Sequence, residues 1–128
     1  PHQPAARQPV NGRTPCTRTD SRPPEGFVYA VSPFHFPSIG GNLPTAPALL
    51  GNTVVYKPAT QTLLVASILQ RLLEEAGLAD GVITPGGGRD AQVSEVVLNA
   101  PHLAGFHSTG TPEGASSLWQ TPGATRGK

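Results

Sequence analysis

The residues of this 128-residue chain that are most suited to chemistry stand at the ends of short apolar runs. His35 lies between two phenylalanines in SPFHF, and Lys57 ends the run TVVYK. A histidine in such a loop is a usual candidate for a general base or a metal ligand. A lysine at the end of a strand is a candidate cation for a nucleotide, although a solvated strand-end lysine explains Lys57 equally well.

Two further turns are candidates for contacts with phosphate groups. The sequence GGG at 86–88 lacks the spacing of the G-x-G-x-x-G motif, and a flexible turn is its simpler interpretation. The sequence STGT at 108–111 offers hydroxyl groups and a glycine ahead of a predicted helix. Such a turn suits a pyrophosphate, and it suits an ordinary helix N-cap as well.

The histidines and the single cysteine do not form a metal-binding pattern. Neither His2 and His35 nor His102 and His107 have the spacing of a ligand set, and Cys16 is too distant to complete a zinc site. Cys16 lies in an arm rich in Pro, Arg and Thr with no predicted base beside it. We therefore interpret it as an unpaired thiol, and we predict no metal site.

Composition limits the other classes of function. The formal net charge is +1, and the arginines of the N-terminal arm are not interleaved with aromatic residues, so no nucleic-acid partner is expected. No apolar stretch is long enough for a membrane span. Residues 1–21 and 120–128 are rich in Gly and Pro and show no apolar periodicity. We therefore predict disordered termini around one folded unit at 22–119.

The apolar periodicity predicts strands that alternate with helices. We predict four buried strands, at 27–31, 53–58, 82–83 and 103–108. We predict helices at 43–50, 62–77 and 90–100, and a last one that begins near 111. In the second helix, one face is predicted to carry Val65, Leu69, Leu72 and Ala76. This alternation is typical of an α/β fold with a parallel sheet and flanking helices, in which ligands bind at the carboxyl ends of the strands.

Longer phrases of the sequence resemble one known family. The phrases GFVYAVSPFHFPSIGGNLPTAPALLGNTVVYKPATQTLL, LLEEAGLADGVI and VSEVVLNAPHLAGFHSTGT are similar, in order and spacing, to the cofactor-binding half of aldehyde dehydrogenases. The group most resembled is that of the L-glutamate γ-semialdehyde (1-pyrroline-5-carboxylate) dehydrogenases, and RPPEGFVYA at 22–30 is similar to its lead-in to the first strand. The resemblance covers about 22–119, and it implies a partial Rossmann-like domain that binds NAD.

The resemblance also implies roles for residues at the first two strand ends. His35 stands where the family's S-P-F-N-F loop has an asparagine whose amide helps to form the oxyanion hole. Ser32, Pro33 and Phe34 match the part of the same loop that approaches the cofactor. Lys57 matches the lysine that hydrogen-bonds the adenosine ribose.

Two later turns are matched in the same way. Gly110 and Thr111 match the end of the family's F-T-G-S turn, whose last hydroxyl contacts the pyrophosphate. Ser108 replaces the phenylalanine of that turn. Gly88 matches the first glycine of the family's V-P-G-D-G turn, whereas the next two residues replace its Asp and second Gly.

The family's catalytic cysteine and glutamate correspond to sequence beyond this chain. The resemblance therefore implies a fragment of an NAD-dependent dehydrogenase that oxidises a small aldehyde, L-glutamate γ-semialdehyde, to L-glutamate in proline breakdown. We expect the chain to be inactive on its own, and the complete enzyme to be a cytoplasmic homo-oligomer, with the mitochondrial matrix as the alternative location. The competing hypothesis is a non-catalytic remnant, or a degenerate nucleotide-binding module.

Overall fold

The computed structural model describes residues 22–88, 90–114 and 116, and these form a parallel sheet with helices on both faces. The strands are β1 (Phe27–Val31), β2 (Thr53–Lys57), β3 (Ile83–Pro85) and β4 (Leu103–Ser108). Their order across the sheet is β3-β2-β1-β4, and all three neighbouring pairs are parallel. The predicted α/β class is therefore confirmed. The predicted disordered termini and Cys16 lie outside the described residues.

Three helices connect the strands. They are α1 (Pro37–Leu49), α2 (Leu63–Glu75), which follows a short 3-10 turn, and α3 (Asp90–Leu98). Residues 112–114 and 116 are also helical, which confirms the predicted helix start near 111. None of the helices among the described residues is long and apolar enough to cross a membrane.

Alternate residues of the central strand pack into two separate cores. Val28 and Ala30 of β1 lie on the face that α1 and α2 cover. Tyr29, the residue between them, lies on the opposite face with Leu98 of α3 and Leu103 of β4. This alternation follows from the strand geometry, in which successive side chains point to opposite faces of the sheet. Because both faces are covered, the strand sequence FVYAV is apolar throughout.

The first helix begins six residues earlier than the apolar set at 43–50 predicted. It starts at Pro37, whose fixed φ and missing N–H suit the first helical turn. The sequence favours a later start because glycine is a poor helix former, and Gly40 and Gly41 follow. In the fold both glycines pack closely: a Cβ built on Gly41 would lie 3.3 Å from Leu69 of α2. Close packing of helix against helix and strand therefore outweighs the low helix propensity.

The buried face of α2 is rotated by about one residue from the predicted one. Ala66 and Leu73 pack against the core, whereas the predicted Val65 and Leu72 are 43% and 57% exposed. The pattern alone does not distinguish these faces, because leucine and alanine occur on both. The strand β3 also differs, since it extends to Pro85 rather than ending at 83.

Candidate functional site

The carboxyl ends of the four parallel strands lie at one edge of the sheet. At this edge β1 and β4 are neighbours, and the helices that adjoin them cover opposite faces: α1 follows β1 on one face, and α3 precedes β4 on the other. The Thr109 N–H donates to the Val31 carbonyl oxygen at 3.4 Å, which holds the two strand ends together. A parallel sheet opens a ligand crevice at such a reversal of direction.

The loop after β1 is anchored at its first residue and exposed beyond it. Ser32 is buried, its N–H donates to the Lys57 carbonyl oxygen at 3.2 Å, and its Oγ lies 3.0 Å from the hydroxyl of Tyr56. Pro33 is half-buried, and Phe34 is 60% exposed. The Ser32 side chain therefore points into the protein, and any contact of this residue with a ligand would use its backbone.

His35 lies in the exposed turn that leads into α1. Its ring contacts Phe34 and Phe36 edge-on, with ring centroids 5.2 Å and 5.0 Å apart. Within residues 22–88, 90–114 and 116, no group of three or more His, Cys, Asp or Glu side chains is placed to hold a metal ion. His35 is exposed, and the two neighbouring rings are its aromatic contacts.

His107, which lies inside a strand, has a structural contact. His107 of β4 lies with Nδ1 3.0 Å from the carbonyl oxygen of Leu43 in α1. A carbonyl oxygen only accepts hydrogen bonds, so Nδ1 carries the proton in this contact. This bond joins the last strand to the first helix.

Lys57 is the buried cation of the site. Only 4% of the residue is exposed, and its Nζ donates to the Pro58 carbonyl oxygen at 3.2 Å. This burial contradicts the alternative of a solvated strand-end lysine. A buried ammonium group is costly unless it is hydrogen-bonded, and its three N–H donors make it suited to hold hydroxyl or carbonyl oxygens.

A groove of about 430 Å³ lies between α2 and the turn after β3, and Pro58, the residue that follows Lys57, is part of its lining. Its α2 wall includes Leu63, Ser67, Gln70 and Arg71, and its other wall is formed by residues 85–87. Gln70 Nε2 donates to the Ile83 carbonyl oxygen at 3.3 Å, which links α2 to β3. An apolar groove with polar groups at its rim suits a flat heterocyclic ring.

The backbone conformation of the turn after β3 explains why this turn contains glycine. The Gly86 N–H donates to the Tyr56 carbonyl oxygen at 2.7 Å and so extends the strand pairing. Gly88 has a φ of +139°, and a Cβ built on it would lie 2.9 Å from Val93 Cγ2. A side chain at position 88 would therefore be both strained and crowded. The role of Gly88 in binding a cofactor stays a prediction.

The turn after β4 has the geometry of a helix cap. The Gly114 N–H donates to Thr111 Oγ1 at 3.2 Å, as expected of an N-cap residue. A Cβ built on Gly110 would meet no atom within 4 Å, so space remains beside the turn. The interpretation of Thr111 as an ordinary N-cap is confirmed. Its contact with a pyrophosphate stays a prediction.

Sequence reasoning missed Tyr56 and the polar wall of α2. Burial raises the pKa of Tyr56 above its ordinary value of 10.0, while the hydrogen bond to Ser32 lowers it by a smaller amount. The signal for the groove was present, because Ser67, Gln70 and Glu74 recur at helical spacing. The exposed Glu74 accepts a hydrogen bond from Gln70 Nε2 at 2.9 Å on the rim of the groove.

Comparisons with known proteins agree on one family. The profile of the aldehyde dehydrogenase family matches residues 5–128. A delta-1-pyrroline-5-carboxylate dehydrogenase of Agaricus bisporus is 44% identical over 118 residues, which are 90% of this chain and 21% of that protein. The mitochondrial delta-1-pyrroline-5-carboxylate dehydrogenase of Homo sapiens is 38% identical over 114 residues, 89% of this chain and 20% of that protein. The chain thus spans about a fifth of the length of these relatives.

The fold is similar to solved structures of the same kind. The Delta-pyrroline-5-carboxylate dehydrogenase from Mycobacterium tuberculosis bound with NAD has a TM-score of 0.82 and 49% identity, covering 96% of this chain and 23% of that chain. Proline utilization A with proline bound in remote sites has a TM-score of 0.75 and 34% identity, covering 82% of this chain and 11% of that chain.

Proposed function

Because this chain belongs to the aldehyde dehydrogenase family, we propose that it is the NAD-binding portion of an enzyme that oxidises L-glutamate γ-semialdehyde to L-glutamate. The substrate is proposed from the relatives, which are named as delta-1-pyrroline-5-carboxylate dehydrogenases. The NAD proposal draws on the solved relative that is bound with NAD. The folded unit is proposed to span 22–119, and assembly into a homo-oligomer is proposed only for the complete protein.

The observation that carries the proposal is the burial of Lys57 directly before Pro58, a residue that lines the open groove. Lys57 ends β2, and Pro58, the next residue, lines the groove. In the proposal, the base of the nucleoside occupies the groove and its ribose hydroxyls accept hydrogen bonds from the Lys57 ammonium group. The residues present therefore fit a dinucleotide at its adenosine end.

Each part of the edge has a proposed role along the cofactor. The groove holds the adenine, and Lys57 donates hydrogen bonds to the adenosine ribose. The turn with Gly88 lies beside the groove, and the turn with Gly110 and Thr111 binds the pyrophosphate next to a helix N-terminus, where negative charge is stabilised. The loop with Ser32, Pro33 and Phe34 supports the remaining half of the cofactor near β1.

The chemistry of the loop is the stabilisation of negative charge. Bound NAD supplies the hydride acceptor of the aldehyde oxidation. In the loop, His35 is proposed to donate a ring N–H toward the oxygen that becomes negative when the aldehyde is attacked. In the family, as the resemblance implies, a cysteine attacks the aldehyde and a glutamate activates water, and both lie in the part of the family's sequence that this chain does not span.

A second candidate function is a nucleotide-binding module without catalysis. It is favoured by the histidine at the loop's asparagine position. For the cellular compartment of the complete protein we propose the cytoplasm. The mitochondrial matrix is the alternative, since the mammalian relatives are named as mitochondrial.

Calorimetric titration of the 128-residue chain with NAD tests the proposal. We expect weak binding, with a dissociation constant on the order of 1 mM, because one portion of the site acts alone. The variant Lys57→Met is expected to weaken binding about tenfold, the usual loss for one hydrogen bond from a charged group. Arg22→Met, which removes an exposed cation before β1, is the matched control and is expected to bind like the parent.

Shorter ligands locate the binding to one half of the dinucleotide. AMP is expected to compete with NAD, whereas nicotinamide mononucleotide is expected to compete poorly. Equal affinity of the parent and Lys57→Met for NAD would overturn the proposed role of the carboxyl edge of the sheet in binding the cofactor. No binding of NAD at millimolar concentration would overturn it as well.

A further inference from the structure

The hydroxyls of Ser32 and Tyr56 form a buried pair beneath the site. Their oxygens lie 3.0 Å apart, and Ser32 and Tyr56 are 5% and 4% exposed. The cavity beside them measures only about 10 Å³. That volume is at the lower limit for a single water molecule, so water is a poor substitute for either hydroxyl.

The pair joins three separate pieces of the carboxyl edge. Ser32 is the first residue after β1, and Tyr56 directly precedes Lys57 in β2. The first turns of α1 close over both, since a Cβ built on Gly40 would lie 3.0 Å from the Tyr56 hydroxyl and 3.6 Å from Ser32 Oγ. A glycine is required at this helix position for the pair to form without displacement.

Ser32 is also the last buried anchor before the exposed part of the loop. Residues 34–36 are all exposed, and the ring contacts at His35 are with its own two sequence neighbours. The direction in which the loop leaves the sheet is therefore determined mainly by how Ser32 is held. Its backbone is held by the bond to the Lys57 carbonyl oxygen, and its side chain by Tyr56.

We propose that Tyr56 is a positioning residue, whose hydroxyl acts through Ser32 to set the orientation of the loop at 33–36 relative to Lys57. The inference rests on the proposed function, in which that loop and Lys57 contact opposite halves of one dinucleotide. Tyr56 touches neither half. It keeps the distance between the two contacts constant, so that a single extended ligand can reach both.

The variant Tyr56→Phe in the 128-residue chain tests this role, because it removes the hydroxyl and keeps the ring. We expect the His35 ring-proton resonances to move toward random-coil positions by at least about half of their dispersion, as the loop becomes mobile on the nanosecond timescale. Amide relaxation at 34–36 is expected to show the same change. Affinity for NAD is expected to fall about threefold to tenfold, the effect of one neutral hydrogen bond.

The matched control is Tyr29→Phe, which removes the other buried tyrosine hydroxyl from the opposite face of the sheet. Tyr29→Phe is expected to lower the free energy of unfolding by about as much as Tyr56→Phe does. It is expected to leave the His35 resonances in place. Ser32→Ala is expected to reproduce the effect of Tyr56→Phe, and the double variant is expected to add nothing to either.

The loop readout does not depend on ligand binding, so it separates this inference from the proposed function. His35 and 34–36 signals that change no more in Tyr56→Phe than in Tyr29→Phe would overturn the positioning role. If the parent chain does not bind NAD but the loop signals change as expected, the positioning role stands and the proposed function fails.

Discussion

The hydroxyl of Tyr29 lies 2.9 Å from Oγ of Ser94, and both side chains are buried between β1 and α3. This bond links the central strand to the helix that covers the second core. The two residues are far apart in sequence, so the contact exists only when the sheet and α3 are packed together. Loss of this bond therefore tests one contact between α3 and the central strand.

Ser94→Ala is expected to lower the free energy of unfolding by about 1–2 kcal/mol, because the Tyr29 hydroxyl loses this partner in a buried place. Urea denaturation followed by circular dichroism measures the change. Ser67→Ala is the control: Ser67 is exposed and bonds only within its own helix, at 2.8 Å to Leu64, so its loss is expected to change stability by less than about 0.5 kcal/mol. Equal stability of the two variants would contradict the prediction.

Alkaline pH is expected to destabilise the fold through Tyr56. Burial raises the pKa of this phenol, so the neutral form is favoured in the folded state. The resulting stability is fully present below the ordinary pKa of 10.0 and is lost as the pH rises through the raised pKa of the folded state. Melting temperatures between about pH 9 and 11.5 are expected to fall less steeply for Tyr56→Phe than for the parent. Parallel curves for the two proteins would show that another group causes the alkaline loss.

Gly88→Ala is expected to cost about 1–3 kcal/mol of stability, since the φ of +139° is strained for alanine and the new Cβ crowds Val93. The neighbouring Gly87→Ala is a close control, because its Cβ would meet no atom within 4 Å. Thermal denaturation of both variants gives the comparison. Equal melting temperatures would indicate that the turn adjusts freely at either position.

His35→Asn is expected to raise turnover in a polypeptide long enough to supply the catalytic cysteine. A flexible amide places its N–H better than a stiff imidazole, and one oxyanion donor is worth about a hundred- to thousandfold in turnover. We expect an increase of up to about a hundredfold, measured by NADH formation from the semialdehyde. The same change at the exposed His102 controls for loss of a histidine elsewhere. Unchanged or lower turnover would show that His35 is a functional replacement.

The strands were the most predictable part of this fold. β1 and β4 have the predicted bounds, because buried parallel strands are uninterrupted apolar runs that end at turn-forming residues. The end of α2 was equally clear: Gly77, with a φ of +100°, follows its C-cap at Ala76. These signals are local, so a short stretch of sequence is sufficient to predict where these strands and the end of α2 lie.

The site was less predictable, because its residues depend on contacts between distant segments. Ser32 was predicted to face the cofactor, yet its hydroxyl turns inward to Tyr56, a residue on another strand. Lys57 was undecided between a solvated and a binding lysine until its burial was known. The start of α1 was missed for the same reason, since only the packing around Gly40 and Gly41 explains two glycines inside a helix.

The strand order β3-β2-β1-β4 has a consequence for the folding pathway. Phe27 of β1 pairs with Thr53 on one side and with Leu103 on the other, so its two neighbours differ greatly in sequence separation. Loop closure costs more entropy for the distant pair, and non-local pairing slows folding. We expect β1, α1 and β2 to form the nucleus, with β4 joining later. Amides of β1 that bond to β2 should therefore become protected from hydrogen exchange before those of β4.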